Sequence, residues 1–234
     1  MKGYNKQKKL LAAIDCIIFG FDGQHLKILL IRRGFEPAKN KWSLMGGFVD
    51  SGESLDTAAN RILKQLTGLE GIYLEQMYAF GEPKRDPIER TISICYFALI
   101  DIHRYERQLT HEYQAEWFNI NEAPALIFDH KAMVSMAREK LRYRAGLHPV
   151  IFELLPEKFT ITQLQTLYEE IYMTALDKRN FLRKIMASGL LIKQNDKDKT
   201  GSRKGAFYYG LDKKKYNHTL LNFTGMLPPA RRII

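Results

Sequence analysis

An α+β fold is predicted: a mixed sheet packed between helices over residues 1–147, followed by a winged helix-turn-helix over residues 148–234. Three observations carry this reading. Five runs of β-branched and aromatic residues, bounded by Gly, Pro or Asp, are crossed by one helical segment and closed by another, the pattern of a layered sheet. At Arg144-Ala145-Gly146-Leu147-His148-Pro149 the composition changes, and glycine and proline mark a domain joint. Beyond it come short helices and a hairpin, with 15 Lys plus Arg against 8 Asp plus Glu, whereas residues 1–147 hold 21 against 18.

In chain order, Leu10 to Phe19, Lys27 to Arg32, Glu75 to Phe80, Thr91 to Ile100 and Glu116 to Phe118 read as strands. Ser54 to Leu66 reads as a helix capped by Ser51 or Ser54, with Ala58, Ile62, Leu63 and Leu66 on its buried face. Asp129 to Arg144 is helical by the spacing of Met133, Val134, Met136, Ala137 and Leu141. After the joint, Pro149 to Leu155 fits a brief helix. Thr160 and Gln163 stand at capping-box spacing and open a helix that buries Leu164, Leu167, Tyr168 and Ile171. A turn over Met173 to Leu176 leads to a second helix, Asp177 to Ser188, stopped by Gly189, with Phe181, Leu182, Ile185 and Met186 as its expected buried stripe. Leu190 to Lys193 and Ala206 to Leu211 are strands about a polar turn, Gln194 to Gly205.

Composition narrows the function. Of 234 residues, 45% are hydrophobic, ordinary for a globular protein, and no run approaches the ~18 apolar residues of a membrane span. The basic Met1 to Lys9 is followed by an apolar run that Asp15 breaks, without a small-residue cleavage pattern, so no secretory signal is expected. Cys16 and Cys95 lie in strand-like apolar runs and read as buried free thiols of a cytoplasmic protein. The net charge of +10 is concentrated after the joint, which favours an anionic partner there, nucleic acid first.

The chemistry-bearing segment runs from Gly47 to Leu69. Gly47-Phe48-Val49-Asp50-Ser51-Gly52-Glu53, seven further residues and Arg61-Ile62-Leu63-Lys64-Gln65-Leu66-Thr67-Gly68-Leu69 resemble the Nudix box of diphosphate hydrolases. Of the four glutamates in that motif only Glu53 survives. Ile62, Gln65 and Leu66 occupy the positions of the metal-binding carboxylates. Magnesium needs anionic oxygens, and neither an aliphatic chain nor a neutral amide replaces them. Without the ion there is no Lewis acid and no activated water at neutral pH. A Nudix-like domain without catalysis, metal or cofactor is therefore expected; an active Nudix hydrolase with an accessory domain is the alternative.

In the second helix after the joint, Arg179 and Arg183 are four residues apart and share a face, with Lys178, Asn180 and Lys184 beside them. A helix-turn-helix places such a polar, cationic helix in the DNA major groove. Lys199, Arg203 and Lys204, on the loop between the last two strands, suit the phosphate contacts of a wing. A protein-binding winged helix is the other reading of the same pattern.

The whole chain resembles the Nudix-related transcriptional regulators, in which a Nudix-like sensor is fused to a carboxy-terminal winged helix. Besides the box, three segments carry the resemblance: Gly81-Glu82-Pro83-Lys84-Arg85-Asp86-Pro87, Gln165-x-x-Tyr168-Glu169 and Asp177-Lys178-Arg179-Asn180-Phe181. It implies a homodimeric repressor that binds double-stranded operator DNA and answers to a small effector. One branch responds to ADP-ribose, another to L-arabinose. The diphosphate of ADP-ribose would need donors such as Arg32, Arg33, Lys41 and Arg85. A sugar would need an aromatic platform with polar neighbours, as Trp42, Glu53, Arg85 and Asp86 could form. With the metal ligands lost, L-arabinose is the expected effector and ADP-ribose the alternative. Each residue also has a structural reading: Trp42 capping the core, Arg85 pairing with Asp86, and Glu53 capping or pairing with Arg61.

Overall fold

The computed structural model describes residues 7–110, 113–147, 149–200 and 204–216. They form two compact units: one from the described residues of 7–18, 28–98 and 106–137, the other from those of 19–27, 99–105 and 138–216. The α+β class and both expected layers are present.

The larger sheet contains β1 (Leu11–Phe21), β2 (Leu26–Arg32), β3 (Trp42–Ser43), β4 (Met45–Phe48), β5 (Glu75–Phe80), β6 (Thr91–Asp101) and β7 (Glu116–Asn119). Its main path runs β3-β2-β1-β6-β5, with β4 on β1 and β7 on β2. The core strand β1 buries every residue from Ile14 to Phe21, Asp15 included, so its burial is continuous where a half-exposed strand would alternate. Two strands had no sequence signal, β3 for its shortness and β4 for its glycines. Gly46-Gly47 reads as loop, yet β4 pairs antiparallel with β1 through Asp15↔Gly46 and Ile14↔Gly47. The glycine admits a neighbour: a Cβ at Gly46 would lie 2.5 Å from Asp15 Oδ1.

Helix α1 (Leu55–Thr67) starts at Ser54, whose side chain accepts from the Thr57 N–H, which settles the choice between the two serines. It ends at Gly68 with φ of 80°, and a Cβ there would also run into the Gln108 carbonyl. Ala58, Ile62, Leu63 and Leu66 are all buried, as their spacing predicts. A short helix, α2 (Ile102–Tyr105), follows β6, and α3 (His130–Leu147) buries Met133, Ala137 and Leu141. Cys16 and Cys95 are buried free thiols. No described helix is long and apolar enough to cross a membrane.

The second unit carries the helix-turn-helix. A 3-10 turn (Pro149–Leu154) and the two-residue strand β8 (Phe159–Thr160) precede α4 (Ile161–Tyr172). The capping box is complete: the Thr160 side chain accepts from the Gln163 N–H, and the Gln163 side chain accepts from the Thr160 N–H. Helix α5 (Lys178–Ala187) is capped by Asp177. Its buried face is narrower than the pattern suggests. Phe181 and Ile185 are buried, but Leu182 and Met186 are 41% and 45% exposed, because the core side of α5 is filled by Phe181 against Tyr168. Strands β9 (Leu191–Asp198) and β10 (Ala206–Leu211) form the hairpin, and β8 pairs with β10. The expected turn shortens: β9 continues to Asp198, which pairs with Ala206, so much of the polar stretch is strand. Helix α6 (Lys213–Tyr216) follows.

Candidate functional site

The box folds around an ion pair. Glu53 accepts from Arg61 Nε at 3.0 Å and from Arg61 Nη2, and it also accepts from the Asp50 N–H at 2.8 Å. Arg61 Nη2 donates further to the Phe48 carbonyl at 2.9 Å. The surviving glutamate thus ties the loop before α1 to the helix itself. The Arg61 hydrogen bonds, then the Asp50 N–H, hold its carboxyl near 2, well below the ordinary 4.5.

That shift fixes a pH dependence. Between 4.5 and about 2 the unfolded chain binds more protons than the folded one, so this contribution is complete above 4.5 and disappears as pH falls through about 2. Glu53→Gln should therefore lower the melting temperature above pH 4.5 and converge with the parent near pH 2, as thermal denaturation across that range would record. A constant difference at every pH would contradict the assignment.

The three box positions expected to carry metal-binding carboxylates divide between core and surface. Ile62 is buried over Gly47, where a built Cβ would meet its side chain at 3.0 Å. Leu66 is also buried, and Gln65 is exposed. Two of the three positions now serve the core.

A second cluster lies inside the first unit. Arg85 is buried and grips Asp129 with two bonds, Nε to Oδ2 and Nη2 to Oδ1, both 2.9 Å. Its Nη2 also reaches Asp15 Oδ2 at 3.5 Å, and Ser93 Oγ donates to the same oxygen at 2.6 Å. Arg85 therefore does not pair with Asp86, whose carboxylate accepts from the Ile88 N–H instead. His130 completes the cluster. Burial pushes its imidazole pKa down, and Nδ1 accepts from the Leu44 N–H at 3.1 Å, so the proton sits on Nε2, 3.4 Å from Asp15 Oδ1. Serine, histidine and aspartate thus meet, but both Ser93 and His130 face Asp15. A nucleophile must contact its base, and here it does not. The cluster is an anchor: it fixes the segment Gly81–Pro87 to β1 and to the start of α3. The sequence had one signal for it, a lone carboxylate in an apolar strand, which requires a partner.

The four residues expected to hold a sugar are engaged elsewhere. Trp42 packs edge-on against Phe118 with ring centroids 4.8 Å apart, and its carbonyl accepts from the Ile127 N–H. Glu53 is held by Arg61, Arg85 by Asp129 and Asp15, and Asp86 by its own turn. The cations proposed for a diphosphate divide differently. Arg85 is internal, but Arg32, Arg33 and Lys41 gather at one hairpin, where the Arg33 N–H donates to the Lys41 carbonyl and Arg32 pairs with Trp42. Arg33 is further fixed by its Nε on the Pro37 carbonyl at 2.9 Å and by the Phe35 ring under its guanidinium. Arg32 and Lys41 are exposed.

In the helix-turn-helix, Lys178, Arg179, Asn180, Arg183 and Lys184 are all exposed. Arg183 Nη2 donates to Asn180 Oδ1 at 3.0 Å. The turn is tied from within: Glu169 Oε1 accepts from the Leu176 N–H at 2.8 Å and from Gln165 Nε2 at 3.0 Å, while Gln165 Nε2 also donates to the Leu176 carbonyl at 3.0 Å. This explains the spacing Gln165-x-x-Tyr168-Glu169. Two polar side chains clasp the turn, and Tyr168 packs between the helices against Phe181. On the hairpin, Lys199 and Lys204 are exposed, and Lys193 and Lys197 both stand over the Phe207 ring, at 3.6 and 4.3 Å. Arg203 lies outside the described residues.

Both parts of the chain resemble known proteins. Residues 9–138 match the model of the NUDIX domain, and residues 151–211 match that of the NrtR DNA-binding winged helix domain. The ADPR-responsive transcriptional repressor NtrR of Acinetobacter baylyi is 35% identical over 94% of this chain and 88% of its own length. An ADP-ribose pyrophosphatase of Methanocaldococcus jannaschii is 34% identical over 62% of this chain and 82% of its own. Among solved structures, Shewanella oneidensis NrtR complexed with a 27mer DNA superposes with a TM-score of 0.76 at 28% identity, covering 88% of this chain and 95% of that one. The NUDIX domain of the same protein, complexed with ADP ribose, superposes with a TM-score of 0.52 at 30% identity over 60% of this chain and 94% of that one.

Proposed function

We propose that this chain, which belongs to the NUDIX family and carries an NrtR-type winged helix, is a transcriptional repressor whose hold on operator DNA is set by ADP-ribose bound in its NUDIX domain. The observation that carries the reading is the pairing of a box stripped of metal ligands with a cationic recognition helix. L-arabinose, the effector expected from the sequence, gives way to ADP-ribose. The polar groups that would have held the sugar are occupied by internal partners, whereas the hairpin of Arg32, Arg33 and Lys41 offers the positive charge a diphosphate requires. The full-length Acinetobacter relative answers to ADPR, and the Shewanella NUDIX domain is complexed with ADP ribose.

The reaction of the archaeal pyrophosphatase is not carried over. With Ile62 and Leu66 in the core and Gln65 neutral, the domain senses its ligand and releases it unchanged. A homodimer is part of the proposal, since two recognition helices about one DNA turn apart read a palindromic operator.

The test is one of linkage. Fluorescence anisotropy on a duplex enriched by the full-length protein should show ADP-ribose changing DNA affinity by about 5- to 150-fold, and DNA changing ADP-ribose affinity by the same factor. L-arabinose should change neither. Equal DNA affinity with and without ADP-ribose would overturn the effector, and magnesium-dependent cleavage of ADP-ribose would overturn the non-catalytic sensor.

A further inference from the structure

Helix α5 leaves two large apolar side chains partly exposed, Leu182 and Met186. Arg179, Leu182, Arg183 and Met186 stand at i, i+3, i+4 and i+7, one contiguous stripe turned away from buried Phe181 and Ile185. Leu182 is 41% and Met186 45% exposed, between and beside two guanidinium groups. Cation and apolar side chains thus alternate along one face of a ten-residue helix.

The major groove presents a matching alternation. Guanine offers two acceptors, O6 and N7, to an arginine fork, and thymine offers the C5 methyl, the groove's one apolar group among hydrogen-bonding edges. The charge of Lys178, Arg179, Arg183 and Lys184 selects a polyanion over an apolar protein surface as the occupant of this face. We infer that Leu182 and Met186 are specificity determinants that read thymine methyl groups flanking the guanines read by Arg179 and Arg183. The inference rests on the DNA-binding reading above and adds which bases the operator must contain.

Deoxyuridine, which is thymidine without that methyl, isolates the effect. The full-length protein is used to enrich duplexes from a random-sequence pool, and the enriched duplex is resynthesised with uracil at each thymine in turn. Anisotropy should show about a fourfold loss of affinity at each thymine read, the scale of one buried methyl group. Leu182→Ala and Met186→Ala should bind the thymine duplex more weakly and lose the uracil effect at one position each, the coupling expected of a direct contact. Both side chains are exposed, so folding is spared, and circular dichroism verifies it. Equal affinity of the parent for thymine and uracil duplexes, with steep salt dependence retained, would overturn the methyl reading alone. Failure to enrich any duplex, with no salt slope, would overturn the DNA-binding reading as well. A change of oligomeric state in Leu182→Ala or Met186→Ala, without any uracil effect, would assign the stripe to a second copy of the chain and overturn the proposal.

Discussion

Arg85→Ala is expected to destabilise the first unit by about 3–5 kcal/mol, the cost of removing one partner from a buried ionic cluster. The Arg85 guanidinium bridges two carboxylates, Asp129 at 2.9 Å and Asp15 at 3.5 Å. Asp15 bears the larger part of the loss, because its side chain is 7% exposed and Asp129 retains 23%. After the substitution Asp15 keeps Ser93 and His130 as donors and loses its ion-paired guanidinium, leaving the electrostatic interaction with Arg33. The two tryptophans, Trp42 and Trp117, both belong to the first unit, so urea unfolding followed by tryptophan fluorescence reports on it separately. Arg85→Met combined with Asp15→Asn and Asp129→Asn should recover most of the stability, since a buried ion cluster is replaceable as a whole although not in part. A loss below about 1 kcal/mol for Arg85→Ala, the level of an exposed ion pair, would refute the anchoring role.

Arg179→Ala and Arg183→Ala should each cost about 1–3 kcal/mol of DNA binding, roughly 5- to 150-fold in Kd, if each guanidinium forks onto a base. Neither side chain is buried, so stability should stay within about 0.5 kcal/mol, as is usual for surface substitutions. ADP-ribose affinity of the free protein should be unchanged, which calorimetric titration checks. Loss of both DNA and ligand binding would point to misfolding, and unchanged DNA binding would remove α5 from the interface. Arg183 has a second partner, Asn180 Oδ1, which holds its guanidinium before DNA arrives. Its truncation should therefore be the costlier of the two.

What the sequence disclosed was local. Ser54, the Thr160–Gln163 box and Asp177 are caps whose donors and acceptors lie within three residues of each other, so spacing alone located them. Ile62 and Leu66 were legible as core, because both fall on the buried helical period of α1. The anchor was not legible. Asp15 and Arg85 are separated by 70 positions and Arg85 and Asp129 by 44, and no local pattern pairs them. The nearest opposite charge to Arg85 in the sequence, Asp86, was the wrong partner. Strand β4 was hidden for another reason: its glycines resemble loop, although Gly46 is there to leave room for Asp15. Leu182 and Met186 show the limit of periodicity, since apolar residues at helical spacing do not say which of two adjacent faces the core will claim.

The clasp of Gln165 and Glu169 on Leu176 bears on how a signal can reach DNA. Two hydrogen bonds from α4, the Gln165 amide on the Leu176 carbonyl and the Leu176 N–H on the Glu169 carboxylate, tie the turn that leads into α5. To tilt the reading helix against α4, an effector would have to break both of these bonds. With both intact, α4, the turn and α5 would travel as one piece, and position along the duplex, rather than the shape of the reader, would be what an effector changes.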